Sequence, residues 1–298
     1  MSGQPEEKKR ITPANLIEAL AVVAVIQVVA LLITFQNLPT YQATGPPASP
    51  GGPGATGSAV NVIFYVGFAF AATLLLLWLL RRKRLSSFKT LVFTSLAVSS
   101  FALTFITSDG LFAQYLAPSA GPLAELAADL AVSVAVVALI GYTIFVKNRP
   151  WLSTIVIAFV GAEVGSFFAT LPLYTALLLP AAFSIYDIYA VFKGPLKSLI
   201  GTGEKVALVG MSIRAGEFTL GLGDIVFYTM LPSLPLAQLI ANSSSASVVS
   251  ATSAAFATLA VMDIGVVATL FLLSKRRLLP GLPIPMLLGL LVLAFYFV

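Results

Sequence analysis

The chain has 298 residues, 58% of them hydrophobic and only 10% charged, and its mean hydropathy of +0.98 is too high for a soluble domain of this length; it belongs to the polytopic membrane class. It contains no cysteine and no histidine, which excludes disulfides, thiolate nucleophiles, His-activated serines, HExxH zinc sites and histidine proton relays. The net charge of +5 comes from short basic clusters between apolar runs, a topology pattern and not a nucleic-acid surface.

A helix that spans a bilayer needs about 20 mostly apolar residues. The sequence supplies nine such runs, near 14–36, 60–80, 89–107, 123–146, 151–171, 172–192, 220–240, 252–274 and 279–298. The expected fold is an all-α membrane protein of nine transmembrane helices, a single polytopic domain over 1–298. Within it, 1–192 hold helices one to six, 193–219 form a connecting loop, and 220–298 hold helices seven to nine. Lys8, Lys9 and Arg10 before the first run suggest a secretory leader, but roughly 23 apolar residues exceed the usual core of 7–15 for a cleaved signal. The first run is therefore read as a helix.

All 17 Lys and Arg residues precede the first run or follow the second, fourth, sixth and eighth. The positive-inside rule then puts the N-terminus and the 193–219 loop in the cytoplasm and Val298 outside. The segment 42–59, QATGPPASPGGPGATGSA, reads as a flexible outer linker, and NSSSASVVSATS (242–253) joins helices seven and eight outside. There is no repeat of fixed period and there are no inverted halves.

Of the 12 acids, four fall well inside apolar runs: Glu163, Asp187, Asp224 and Asp263. An ionisable group at membrane depth costs at least a few kcal/mol, so each asks for a function or a partner. At about 1.5 Å per residue, Asp187 lies roughly 9 Å from the cytoplasmic edge of helix six and Asp224 roughly 6 Å into helix seven. These two share a level on consecutive antiparallel helices. Glu163 and Asp263 lie roughly 16–18 Å deep by the same arithmetic, in another layer. Two carboxylates within hydrogen-bond reach share a proton and titrate as a pair. That state suits hydrolysis: one partner takes a proton from water while the other supports the oxyanion and protonates the leaving amine. No metal and no cofactor is required.

Three stretches, Tyr186-Asp187, then GLGD at Gly221, Leu222, Gly223 and Asp224, then LPGLP at 279–283, resemble the signature elements of the presenilin and signal-peptide-peptidase family of GxGD intramembrane aspartyl proteases. Nine helices with the N-terminus inside and the C-terminus outside also match that family's layout. The resemblance implies that Asp187 and Asp224 are the catalytic pair and that Pro280, Gly281 and Leu282 correspond to the family's PAL motif beside the active site, with Gly281 in place of the usual alanine. Tyr186, Gly221, Leu222 and Gly223 are expected to shape the same site. The implied function is cleavage of transmembrane segments of other membrane proteins within the lipid bilayer. The short 193–219 segment resembles that of compact prokaryotic members, which implies a multi-pass protein of a prokaryotic cell membrane with no obligatory accessory subunits.

Other readings attach to the same residues. Gly221 and Gly223 fit either backbone approach to a substrate or close helix packing; Tyr186 fits either a donor to the pair or a packing aromatic, and Tyr228 is read as packing. Gly161 and Gly165 form a GxxxG contact in helix five, with Glu163 pointing away from it. The prolines at 280, 283 and 285 fit either irregular backbone level with the aspartates or an ordinary helix start. A proton- or ion-coupled secondary transporter using the four acids is the alternative function, and a structural scaffold a third.

Overall fold

The computed structural model describes residues 13–47, 49–115, 121–146, 149–193, 211–215, 218–240, 247–275 and 279–297. Among these residues there are nine α-helices, α1 (Pro13–Thr44), α2 (Ala55–Arg81), α3 (Leu85–Tyr115), α4 (Pro122–Gly141), α5 (Pro150–Ala169), α6 (Leu173–Phe192), α7 (Leu222–Pro235), α8 (Ser247–Lys275) and α9 (Pro283–Phe297). An antiparallel hairpin, β1 (Ser212–Ala215) and β2 (Phe218–Gly221), precedes α7 with Ser212 opposite Gly221. Apart from Lys193 and Met211, the remainder of the 193–219 segment, including Lys197, Glu204, Lys205 and Glu217, lies outside the described residues.

Seven of these helices are long and apolar enough to cross a membrane; α7 and α9 are shorter. The expected spans 220–240 and 279–298 both begin too early. The backbone is still a strand at Leu220 and turns into α7 only at Leu222, while proline keeps α9 from starting before Pro283. At its other end α7 contains Pro232 and Pro235 and passes into a π-helical turn, Leu236–Ile240. Each proline removes a backbone donor, and the looser turn accommodates the broken ladder.

The short helix is the core of the bundle. Every residue of α7 from Ile225 to Pro235 is buried, and α7 packs against α1, α5, α8 and α9. By contrast, α2 turns Ile63 and Phe68 outward, and α3 turns Val98 outward. Outward apolar side chains are the normal condition where the surrounding solvent is hydrocarbon.

Without a hydrophobic force between helices in lipid, small residues and hydrogen bonds draw them together. Gly161 and Gly165 lay the face of α5 on α7: a methyl group on Gly165 would collide with the Thr229 hydroxyl and the Val226 carbonyl, and one on Gly161 with Ile225. Thr229 takes advantage of that approach by donating to the Gly161 carbonyl at 3.2 Å. Elsewhere the Thr34 and Ser166 hydroxyls meet at 2.7 Å, and Gln238 donates to the Ala169 and Leu171 carbonyls at 3.0 and 2.8 Å.

The linker after α1 is held more firmly than its composition suggests. Asn61, in the second turn of α2, accepts from the Gly51 amide at 2.7 Å and donates to Ser49, to the Gly52 carbonyl and to Thr175 of α6. One buried amide thus ties the linker to two helices.

The α5–α7 contact yields a paired expectation. Gly165→Ala forces a methyl group against backbone and should lower stability by about 1–3 kcal/mol. Gly67→Ala, with open space where its Cβ would go, should leave stability unchanged within about 0.5 kcal/mol. Thermal unfolding of the two variants in one detergent distinguishes them.

Candidate active site

The site forms where three elements meet. Asp187 comes from the last part of α6, six residues before Lys193. Asp224 is in the first turn of α7, where its Oδ2 accepts from the Gly221 amide at 3.2 Å. A carboxylate in that position satisfies an otherwise unpaired donor and lies at the favourable end of the helix dipole. The hairpin fixes where that turn begins, because Gly221 closes β2 and the Leu222 amide donates to the Met211 carbonyl at 2.8 Å.

The third element is the Pro280–Leu282 turn ahead of α9. The Leu282 amide donates to Asp187 Oδ2 at 3.1 Å, and the Gly281 amide faces the same carboxylate. A Cβ on Gly281 would stand 3.0 Å from Asp224 Oδ1 and 3.2 Å from its Cγ and Oδ2. Two adjacent residues of one turn therefore touch both acids, which come within electrostatic range of each other. Pro280 and Leu282 are buried, so the turn is set into the bundle and not draped over it.

Helices α6 and α7 each pack against α9, the helix that follows this turn. Their own contact includes the Phe183 and Phe227 rings, 4.8 Å apart and about one turn from each aspartate. The glycine at 281 has a direct role in this geometry. Alanine there would require the Asp224 carboxylate to give way by a few tenths of an ångström, so this chain combines its smaller residue with a closer approach.

Asp187, Asp224, Gly221, Gly281 and Leu282 are thus brought together. Gly223, next to Asp224, is exposed, with open space beside it. Leu222 contributes through its backbone, while its side chain reaches toward Gly161 of α5. Tyr186 departs from expectation: its hydroxyl donates to Thr73 of α2 at 3.0 Å, and its ring packs edge-on to Phe70 and Phe183. One residue along a helix is a rotation of about 100°, enough to turn it away from Asp187 and toward α2.

The tyrosine that does join the site is Tyr228. It is 2% exposed, and its hydroxyl donates to the Gly281 carbonyl at 2.9 Å. The available sequence signal was its position four residues after Asp224, on the same helix face. Glu163 and Asp263 have different partners: Thr104 donates to Glu163 Oε1 at 2.8 Å, and Asp263 faces Gln27. The deep pair that a transporter would need is therefore divided between separate polar contacts.

Residues 9–207 match the Presenilin family model, more than half of the chain. The chain belongs to the presenilin family. That match includes Asp187 but stops short of Asp224 and Gly281, whose association with Asp187 rests on the geometry above. This presenilin-family chain also resembles solved structures of a presenilin family intramembrane aspartate protease. One, in a C222 crystal form, aligns with TM-score 0.60 and 21% identity over 93% of this chain and 99% of that one. Another, in a P2 form, aligns with TM-score 0.56 and 22% identity over 97% and 100%. No curated protein matches the sequence. The family and the apolar helices together make this a multi-pass integral membrane protein.

Tyr228→Phe leaves the Gly281 carbonyl without its buried donor and should cost about 1–3 kcal/mol of stability. Tyr186→Phe removes a half-buried hydroxyl contact and should cost about 1 kcal/mol or less. Thermal unfolding of the two variants separates a tyrosine that supports the Gly281 turn from one that anchors α2.

Proposed function

We propose that this chain is an intramembrane aspartyl endopeptidase that hydrolyses peptide bonds within the transmembrane segments of other membrane proteins, with Asp187 and Asp224 as its catalytic pair. The observation that carries this reading is the placement of both carboxylates against the single Gly281–Leu282 turn. Family membership supports it, as does the likeness in fold to structures described as intramembrane aspartate proteases.

In this mechanism the pair holds one proton between two acids. The ionised carboxylate removes a proton from water as the water oxygen attacks the scissile carbonyl carbon, and the protonated carboxyl gives its proton to the carbonyl oxygen. Collapse of the tetrahedral diol breaks the C–N bond, with proton transfer to the departing amine. The amides at 221 and 282 each bind one carboxylate from outside the pair, so the remaining oxygens are left to face water and substrate. Water enters from the cytoplasmic end, past the hairpin and the open side of Gly223. A helical substrate must unwind before its carbonyl is accessible, and the backbone groups it then exposes need partners. The β1–β2 hairpin immediately before Asp224 offers the edge of a two-stranded sheet for them.

In this reading the chain is one polytopic domain over 1–298. Residues 1–192 supply Asp187, the 193–219 segment lies on the cytoplasmic side, and 220–298 supply Asp224 and the Gly281 turn. The N-terminus is cytoplasmic and Val298 is outside, in a prokaryotic cell membrane. The pair needs no metal, cofactor or accessory subunit.

Asp187→Asn and Asp224→Asn should each reduce cleavage of a reconstituted single-span substrate by at least about 10²-fold, the lower range for loss of a general acid or base. Glu163→Gln and Asp263→Asn should retain cleavage, because neither belongs to the pair. Fragments are identified by mass spectrometry, and the fold of each variant by its unfolding temperature. Activity that survives in a folded Asp187 or Asp224 variant contradicts the assignment.

A further inference from the structure

The end of the bundle remote from the aspartate pair carries a second group of acids. Asp109 lies in the last turns of α3, Glu125 in the first turn of α4, and Asp129 one turn further along α4. One carboxylate oxygen from each can be brought into a set whose members all lie within 4.8 Å of one another. Asp129 is 1% exposed, and among the described residues neither of its carboxylate oxygens has a hydrogen-bond partner. Such a group, shut between two closely packed helices, has no solvating partner among the described residues and little access to bulk water.

No Lys or Arg occurs in the sequence between Lys89 and Lys147, the stretch that holds all three acids. Of the 17 Lys and Arg residues, 16 precede α1 or lie at or after the ends of α2, α4, α6 and α8, and Lys89 lies in the second turn of α3. With no basic residue near them in the sequence, the three acids are open to a cation from outside the chain.

We propose that Asp109, Glu125 and Asp129 bind a divalent cation, and that Ca²⁺ is the ion that fits. The donors are hard carboxylate oxygens with no nitrogen or sulfur among them, which selects against zinc and copper. Calcium binds oxygen at about 2.3–2.6 Å, so two ligands of one ion stand at most about 4.6–5.2 Å apart. The three oxygens all lie within 4.8 Å of one another, close enough for one ion to bridge them. Magnesium demands strict octahedral order and gives up its waters reluctantly, so calcium is the better match to a site of several protein carboxylates. With three carboxylates and the other positions left to backbone or water, the expected Kd is about 10⁻⁴–10⁻³ M. The bound ion joins the outer ends of α3 and α4. This site is independent of the proposed proteolysis, and its test reads binding and stability instead of cleavage.

The test is thermal unfolding of the purified full chain in detergent, stripped with chelator and titrated with CaCl₂ or with MgCl₂ at matched ionic strength, together with calorimetry of CaCl₂ binding. The wild-type unfolding temperature should rise with the logarithm of Ca²⁺ concentration above Kd, and rise much less with Mg²⁺. Calorimetry should saturate near one ion per chain. Asp129→Asn keeps the size of the side chain and removes its charge. It should abolish the calcium response, while in chelator it unfolds at or above the wild-type temperature because repulsion is relieved. Asp109→Asn should weaken binding at least tenfold, and it provides the second variant if Asp129→Asn does not fold. The proposal is overturned if wild-type protein shows neither calcium-dependent stabilisation nor calorimetric binding. An undiminished calcium response in Asp129→Asn overturns it too, as does stabilisation by acid alone, which would assign the cluster to protons.

Discussion

A carboxylate placed at membrane depth must find its solvation in the protein, and the only backbone donors to spare there are those at the ends of helices. This bundle creates two such ends at one level. The α7 helix starts late, after a strand, and frees the Gly221 amide for Asp224; α9 starts late, after Pro280, and frees the Leu282 amide for Asp187. The interruptions that shorten these two helices are therefore the means by which two acids are held there. An uninterrupted helix at either position would consume its own amides and leave the aspartate with no partner from that element.

The rest of the bundle keeps those ends in register. With α7 buried along its length and clasped by α5 through Gly161 and Gly165, its first turn has little freedom to move. Tyr228 then links that helix to the Gly281 carbonyl, so the turn bearing the Leu282 amide is positioned from the Asp224 side as well. Both acids are thus oriented by one rigid unit composed of α7 and the turn before α9. Polar groups away from this unit have separate tasks: Asn61 ties down the linker after α1, and Thr104 partners Glu163 between α3 and α5.

Much of this could be read in the sequence because lipid imposes a strict code. Apolar runs of spanning length gave the helices in order, and the rise per residue placed Asp187 and Asp224 at one level before any contact was known. Rotation about the helix axis was not legible. Tyr186, adjacent to Asp187, turns to Thr73, whereas Tyr228, a full turn beyond Asp224, reaches the site. The hairpin at 212–221 was also missed, since two strands of four residues are too short for a periodic signal and merge into the apolar run of the next helix. The linker at 42–59 has the composition of a flexible coil, and its restraint comes from Asn61, a residue that reads as part of a spanning helix. In each case the missing information is a long-range contact that no local window contains.

The measurement that bears most directly on the paired acids is an experimental structure of the chain with a peptide analogue whose scissile amide is replaced by a hydroxyl-bearing tetrahedral centre. That hydroxyl should lie within hydrogen-bond distance of both Asp187 and Asp224, with the Leu282 and Gly221 amides still bound to their outer oxygens. An analogue seated elsewhere, or a hydroxyl held by one aspartate while the other faces a separate environment, would contradict the account.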